Sequence, residues 1–143
     1  MKNYLSKIVS VEDNEDHFDI MEFHLKDINP ELQVLHYSDG ESAIKNMAEI
    51  RSFMPQIILL DLNLPKFSGI EVLAELRQNP EFLNIPVIMF TTSNNKKDIR
   101  AAYATGANSY LLKPIEPDGI RNSLKAILEY WGSNELDLLE PLE

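Results

Sequence analysis

Five short apolar runs constrain this chain more than any other feature. They occupy positions 8–11, 34–37, 57–60, 87–90 and 110–112, are β-branched or leucine-rich, and lack regular polar alternation. Strands buried on both faces of a parallel sheet read this way, whereas a half-exposed strand alternates. Periodicity alone would also allow short buried helices. The spacing decides, because roughly 20 to 30 residues separate successive runs, enough for a crossover helix each time.

The intervening segments carry helical periodicity. Phe18, Met21, Leu25 and Ile28 share one face, and Asn29 and Pro30 end that helix. Ser38, Asp39 and Gly40 form a turn before a second face of Ala43, Ile44 and Met47. Ile70, Leu73 and Leu76 mark a third helix, stopped by Asn79 and Pro80. Ile99, Ala102 and Tyr103 mark a fourth, closed by Gly106 as a C-terminal cap. Pro117 suits the first turn of a fifth, followed by Ile120, Leu124, Ile127, Leu128 and Trp131. Strand and helix alternate five times. The expected fold is α/β: a (βα)5, doubly wound, parallel five-stranded sheet of flavodoxin-like type, strand order 2-1-3-4-5.

The length of 143 residues suits one domain, expected over 1–132. Residues 133–143, SNELDLLEPLE, are a distinct acidic tail, either disordered or an apolar–acidic contact segment. The chain has 13 Lys and Arg against 23 Asp and Glu, a net charge of −10. That balance argues against binding nucleic acid or an anionic membrane surface, since both need a basic stripe. With no cysteine, disulfides, thiolate metal sites and thiol nucleophiles are excluded. Neither a secretory signal nor a run of about 20 apolar residues is visible, so a cytoplasmic location is expected.

In open α/β sheets, sites form at the carboxyl ends of the strands. Glu12 and Asp13 follow the first run, Asp61 the third, Thr91 ends the fourth, and Lys113 follows the fifth. With the first and third strands adjacent, Glu12, Asp13 and Asp61 converge. Three such carboxylates stay ionised together only around a cation, and an oxygen-only ligand set selects a hard one, Mg²⁺ first. Three carboxylates, one divalent ion and the Lys113 ammonium sum to zero charge, so the pocket would accept a phosphoryl dianion. Thr91 and Lys113 would bind its oxygens. Taken singly, an acid after a strand is more often a helix cap, and Asp13 or Asn14 fits that role. The joint pattern over four strand ends is the signal.

The sequence resembles the receiver domains of two-component response regulators. The resemblance is carried by IVSVEDN at 8–14, IILLDLNLP at 57–65, Gly69, PVIMFTTS at 86–93, Gly106 with Ala107, and YLLKP at 110–114. It runs from about residue 5 to about residue 131. The wording LLDLNLPKFSG and FTTSNN is most like single-domain regulators partnered with phytochrome-type sensor kinases. The resemblance implies that Asp61 is the phosphoacceptor and Asp13 a direct Mg²⁺ ligand. Glu12 would act on the metal through water, and Asn63 through its backbone carbonyl. Thr91 would swing toward the phosphoryl group, Lys113 would pair with it, and Tyr110 would be the aromatic switch that follows. The peptide between Lys113 and Pro114 is expected to be cis.

By the same resemblance the chain would take a phosphoryl group from a sensor histidine kinase or phosphotransfer protein. It would catalyse its own phosphorylation and dephosphorylation, with no independent substrate turnover. Its signal would be a shifted surface made by the fourth helix, fifth strand and fifth helix. Lys96, Lys97, Asp98, Arg100, Tyr103 and Tyr110 lie on that face, which is also a homodimer candidate. Only 12 residues follow Trp131, so the expected output is a protein partner rather than DNA. Thr92 departs from the smaller residue usual beside the acceptor. Three rivals are weighed. A dehalogenase-type phosphatase needs an acid two positions past its nucleophilic Asp, and Asn63 stands there. A flavodoxin needs a phosphate loop where Glu12, Asp13, Glu15 and Asp16 would repel one. A phosphorylation-independent interaction module is the remaining alternative. His17 and His24 share a helix face too widely spaced for one metal ion and read as a solvated surface.

Overall fold

The computed structural model describes residues 5–142. Strands β1 (Lys7–Val11), β2 (Gln33–Tyr37), β3 (Ile57–Leu60), β4 (Val87–Thr91) and β5 (Ser109–Leu112) pair in parallel in the order β2-β1-β3-β4-β5. Between and after them run α1 (Glu15–Ile28), α2 (Gly40–Lys45), α3 (Met47–Phe53), α4 (Gly69–Gln78), α5 (Lys96–Thr105) and α6 (Pro117–Gly132). A 3-10 turn at Pro80–Phe82 precedes β4. This is the α/β flavodoxin-like sheet that the apolar runs imply.

Strand periodicity divides the core into two layers. Val9, Val11, Ile58, Leu60, Val87 and Met89 face one way, against Ile50, Val72, Leu73 and Leu76. Ile8, Ile57, Leu59, Ile88 and Phe90 face the other, against Met21 and Leu25 of α1 and Leu124 and Leu128 of α6. The three central strands are buried along nearly their whole length, whereas β2 and β5 are largely half-exposed. Their apolar runs had suggested burial on both faces, but as edge strands each has only one neighbour.

The expected second helix is two. Asn46, at φ −110° and ψ 28°, breaks it, its N–H bonding back to Ser42 and Ala43. Ala43 and Ile44 therefore belong to α2 and Met47 to α3. Elsewhere the caps act as the residues dictate. Ser68 and Glu71 close a reciprocal capping box on α4, and Gly106 ends α5 at φ 118°. The peptide between Lys113 and Pro114 is trans, not cis, in keeping with the intrinsic preference of X–Pro bonds.

At the amino-terminal edge of the sheet, Arg77 gathers loose carbonyls. Its guanidinium donates to Gly106 O (2.9 Å), Phe82 O (2.7 Å), Leu83 O (3.3 Å) and Ile85 O (3.1 Å), and to the Asn108 side chain (2.9 Å). The segment after α6 crosses that same edge. Leu136 packs on the α1–α6 core layer and Leu139 on the opposite layer. Asn84 donates to Asp137 (2.8 Å), and Arg51 Nη2 donates to the Glu140 carbonyl (2.7 Å).

Candidate functional site

The parallel register brings Val11 beside Tyr37 on one side and Leu60 on the other, so β1 and β3 end level. Glu12, Asp13 and Asp61 leave those ends together. One oxygen from each carboxylate lies within 4.8 Å of the others. Glu12 and Asp61 are buried, and Asp13 is exposed. Lys113 arrives from the end of β5 with 4% of its side chain exposed. Its Nζ donates to Asp61 Oδ2 (2.9 Å) and to Glu12 Oε1. The second oxygen of Glu12 accepts from Asn14 N–H (3.2 Å), and Asp61 Oδ1 accepts from Asn63 N–H (3.3 Å).

The electrostatics follow from this crowding. Burial, and then the Asp61 charge, push the Glu12 carboxyl up to about 7. Burial works to raise Asp61 as well, but the Lys113 ammonium beside it outweighs that, with help from the Glu12 and Thr91 hydrogen bonds. Asp61 is held below the usual carboxylate range. The Asp61 carboxylate is thus kept ionised by its neighbour.

Gly69 shapes the loop after β3. A Cβ there would lie 2.1 Å from the Asp61 carbonyl oxygen, and Gly69 N–H donates to Leu62 O at 2.8 Å. No side chain fits where α4 passes beneath Asp61. Thr91, fully buried, ends β4 beside Asp61. Its Oγ1 accepts from Ser93 N–H at 3.4 Å, while Ser93 Oγ donates to Asp98 at 2.7 Å. Tyr110 donates its hydroxyl to Ser93 O at 2.9 Å. The loop after β4 is therefore tied both to the cleft and to α5 and β5.

The structure brings Glu12, Asp13, Asp61 and Lys113 into one cleft, with Thr91 at its floor. Asn63 lies at the rim and touches Asp61 through its N–H. Tyr110 stands one loop away, at Ser93. Thr92 is exposed beside Lys113. The sequence reads His17 as part of a solvated helix face, but its Nδ1 lies 3.4 Å from Lys113 Nζ and 3.8 Å from Glu12 Oε1. Its place three residues after Asn14, the N-cap of α1, was the available signal. His24 instead meets Phe23 edge-on.

An all-oxygen set of three clustered acids, one of them open to solvent, fits a hard divalent cation with retained waters. No described helix is long and apolar enough to cross a membrane.

Known proteins share this fold and much of this sequence. The family profile for the response regulator receiver domain matches residues 8–125. The chain is 34% identical over 128 residues to the response regulator Rcp1 of Synechocystis sp., covering 87% of each chain. It is 41% identical over 78 residues to a probable methanogenesis regulatory protein, FilR2, of Methanothrix harundinacea, covering 54% of this chain and 50% of that one. The matched region thus spans about half the length of some curated relatives. Among solved structures, the phosphorylated cyanobacterial phytochrome response regulator RcpA superposes with a TM-score of 0.87 at 33% identity, covering 93% of this chain and 99% of RcpA. The Mn²⁺-bound form of Rcp1 gives 0.83 at 34%, covering 92% and 98%. A receiver domain of the sensor histidine kinase PA1611 of Pseudomonas aeruginosa, with magnesium in its active-site cleft, gives 0.75 at 26%, covering 90% and 98%.

Proposed function

The chain belongs to the response regulator receiver domain family, and on that footing we propose that Asp61 accepts a phosphoryl group from the phosphohistidine of a sensor kinase or phosphotransfer protein. One observation carries the reading: three carboxylates from two strand ends meet within 4.8 Å, with the Lys113 ammonium 2.9 Å from Asp61.

Asp61, held ionised, attacks the phosphorus through a carboxylate oxygen. The bond from phosphorus to the donor nitrogen breaks, and its electron pair leaves with the imidazole. Lys113 pairs with one equatorial oxygen as charge develops on the transferring group. Asp13 and Asp61 would hold Mg²⁺ directly, Asn63 through its carbonyl and Glu12 through water. The bound ion would supply positive charge to the phosphoryl oxygens. Thr91 hydrogen-bonds another oxygen. Drawing Thr91 toward the cleft pulls on Ser93, which Tyr110 and Asp98 both grip. The face of α5, β5 and α6 is thereby shifted between two packings, read by a protein partner or a second copy of the chain.

The likeness to RcpA and Rcp1 supports a phytochrome-type sensor kinase as donor, in the cytoplasm. The domain turns over no independent substrate. Acetyl phosphate with Mg²⁺ should label the wild type with an acid-stable, base-labile acyl phosphate. Asp61→Asn should abolish that label, and EDTA should stop labelling with the circular dichroism unchanged. Wild-type labelling of Asp61→Asn would overturn the assignment.

A further inference from the structure

The Lys113 ammonium has three hydrogens and meets three acceptors: Asp61, Glu12 and, at 3.4 Å, His17 Nδ1. An ammonium only donates, so in this contact Nδ1 is the accepting nitrogen. The ring is placed by its helix. Asn14 caps α1 by accepting from His17 N–H at 3.1 Å, which fixes the first turn over the cleft. Beyond the ring a cavity of about 300 Å³ opens, walled by Ile20, Met21, Phe90, Ile115 and Ile120. Exposed Thr92 lines the same cavity, so its hydroxyl and solvent offer the ammonium an alternative on that side.

We propose that His17 is a positioning residue for Lys113, holding the ammonium in place while its two anionic partners change their bonding. The inference rests on the phosphoacceptor reading. In that reading Asp61 becomes an acyl phosphate and Glu12 turns to a metal-bound water. His17 is the one acceptor of the three that the chemistry leaves untouched. It also bridges chain segments far apart, since it rides on α1 while Lys113 ends β5. Losing it frees the ammonium to swing into the cavity mouth, away from the transferring oxygens.

The test compares His17→Phe, which fills the space without an acceptor, with His17→Asn, whose Oδ1 can occupy the place of Nδ1. The first readout is the Lys113 ammonium resonance in protein labelled with [¹⁵N]lysine, without phosphodonor. The second is the rate of labelling by acetyl phosphate. His17→Phe should lose the slowly exchanging ammonium signal and label about tenfold to a hundredfold more slowly, the range one hydrogen bond to a charged group spans. His17→Asn should recover both in large part. A wild-type signal and rate in His17→Phe would overturn the proposal. So would equal loss in the two variants at equal thermal stability, because that marks a packing role. If the wild type took no label, the phosphoacceptor reading would fall, while the ammonium signal would still decide the contact.

Discussion

A buried ammonium between two buried carboxylates can lose no partner cheaply, because a lone charge left in that cleft costs several kcal/mol. Lys113 is therefore held where it is by all of its partners at once. Below it, His36 shows the reverse situation. Its ring stacks on Phe18 at 3.6 Å between centroids, and Nδ1 is buried without a hydrogen-bond partner. Burial lowers its pKa from the ordinary value, against the opposing pull of the Ser10 backbone and then of the Glu22 and Asp19 charges on α1. The unfolded chain binds this proton more readily, so stability from neutral His36 is full above about pH 6.5 and is lost as pH falls through the lower folded value. His36→Phe should flatten the fall in unfolding midpoint between about pH 7 and pH 5, measured by thermal melts in EDTA. An unchanged slope would refute it. At this scale the sequence was readable where a residue directly follows a buried strand, as Glu12 and Asp61 do, or closes one, as Thr91 does. It was unreadable for His17, whose role depends on how α1 lies over the cleft.

Among the elements, the turn around Arg77 is built mainly from backbone partners, with the Asn108 side chain as the fifth acceptor. A guanidinium fork satisfies carbonyls from the 3-10 turn, from the segment leading into β4 and from the end of α5, where the helix dipole is negative. A lysine cannot span those directions. Arg77→Lys should destabilise the domain by about 2 kcal/mol in urea titration at unchanged m-value, with Asp61 labelling retained. Gly106 belongs to the same device: its φ of 118° excludes ordinary side chains, and a Cβ would lie 2.9 Å from Arg77 Cγ. The sequence announced Gly106 as a cap but gave no sign of Arg77, because its five acceptors come from segments that only folding brings together. The split of the second helix was missed similarly. Its apolar face continues through the break, and only the Asn46 backbone departs.

For the molecule as a whole, topology was legible because spacing and burial of the runs admit few alternatives. Edge exposure was not, since it depends on strand order rather than on composition. The segment beyond α6 adds a brace that joins both core layers. Truncation after Ser133 removes Leu136 and Leu139 and two polar ties. It should cost about 2–3 kcal/mol by chemical denaturation, with the labelling rate at the cleft unchanged. Slower labelling would mean that the two ends communicate.

The brace passes at the pole opposite the cleft, and Leu138 is exposed on it, near Leu5 and Gln56 where the strands begin. A dye or surface linker attached at a cysteine placed there would leave the pole that carries the cleft facing solution. Tethered in that orientation, single molecules would present the carboxylate cleft to solution, where the proposed phosphoryl transfer could be watched without the handle in the way.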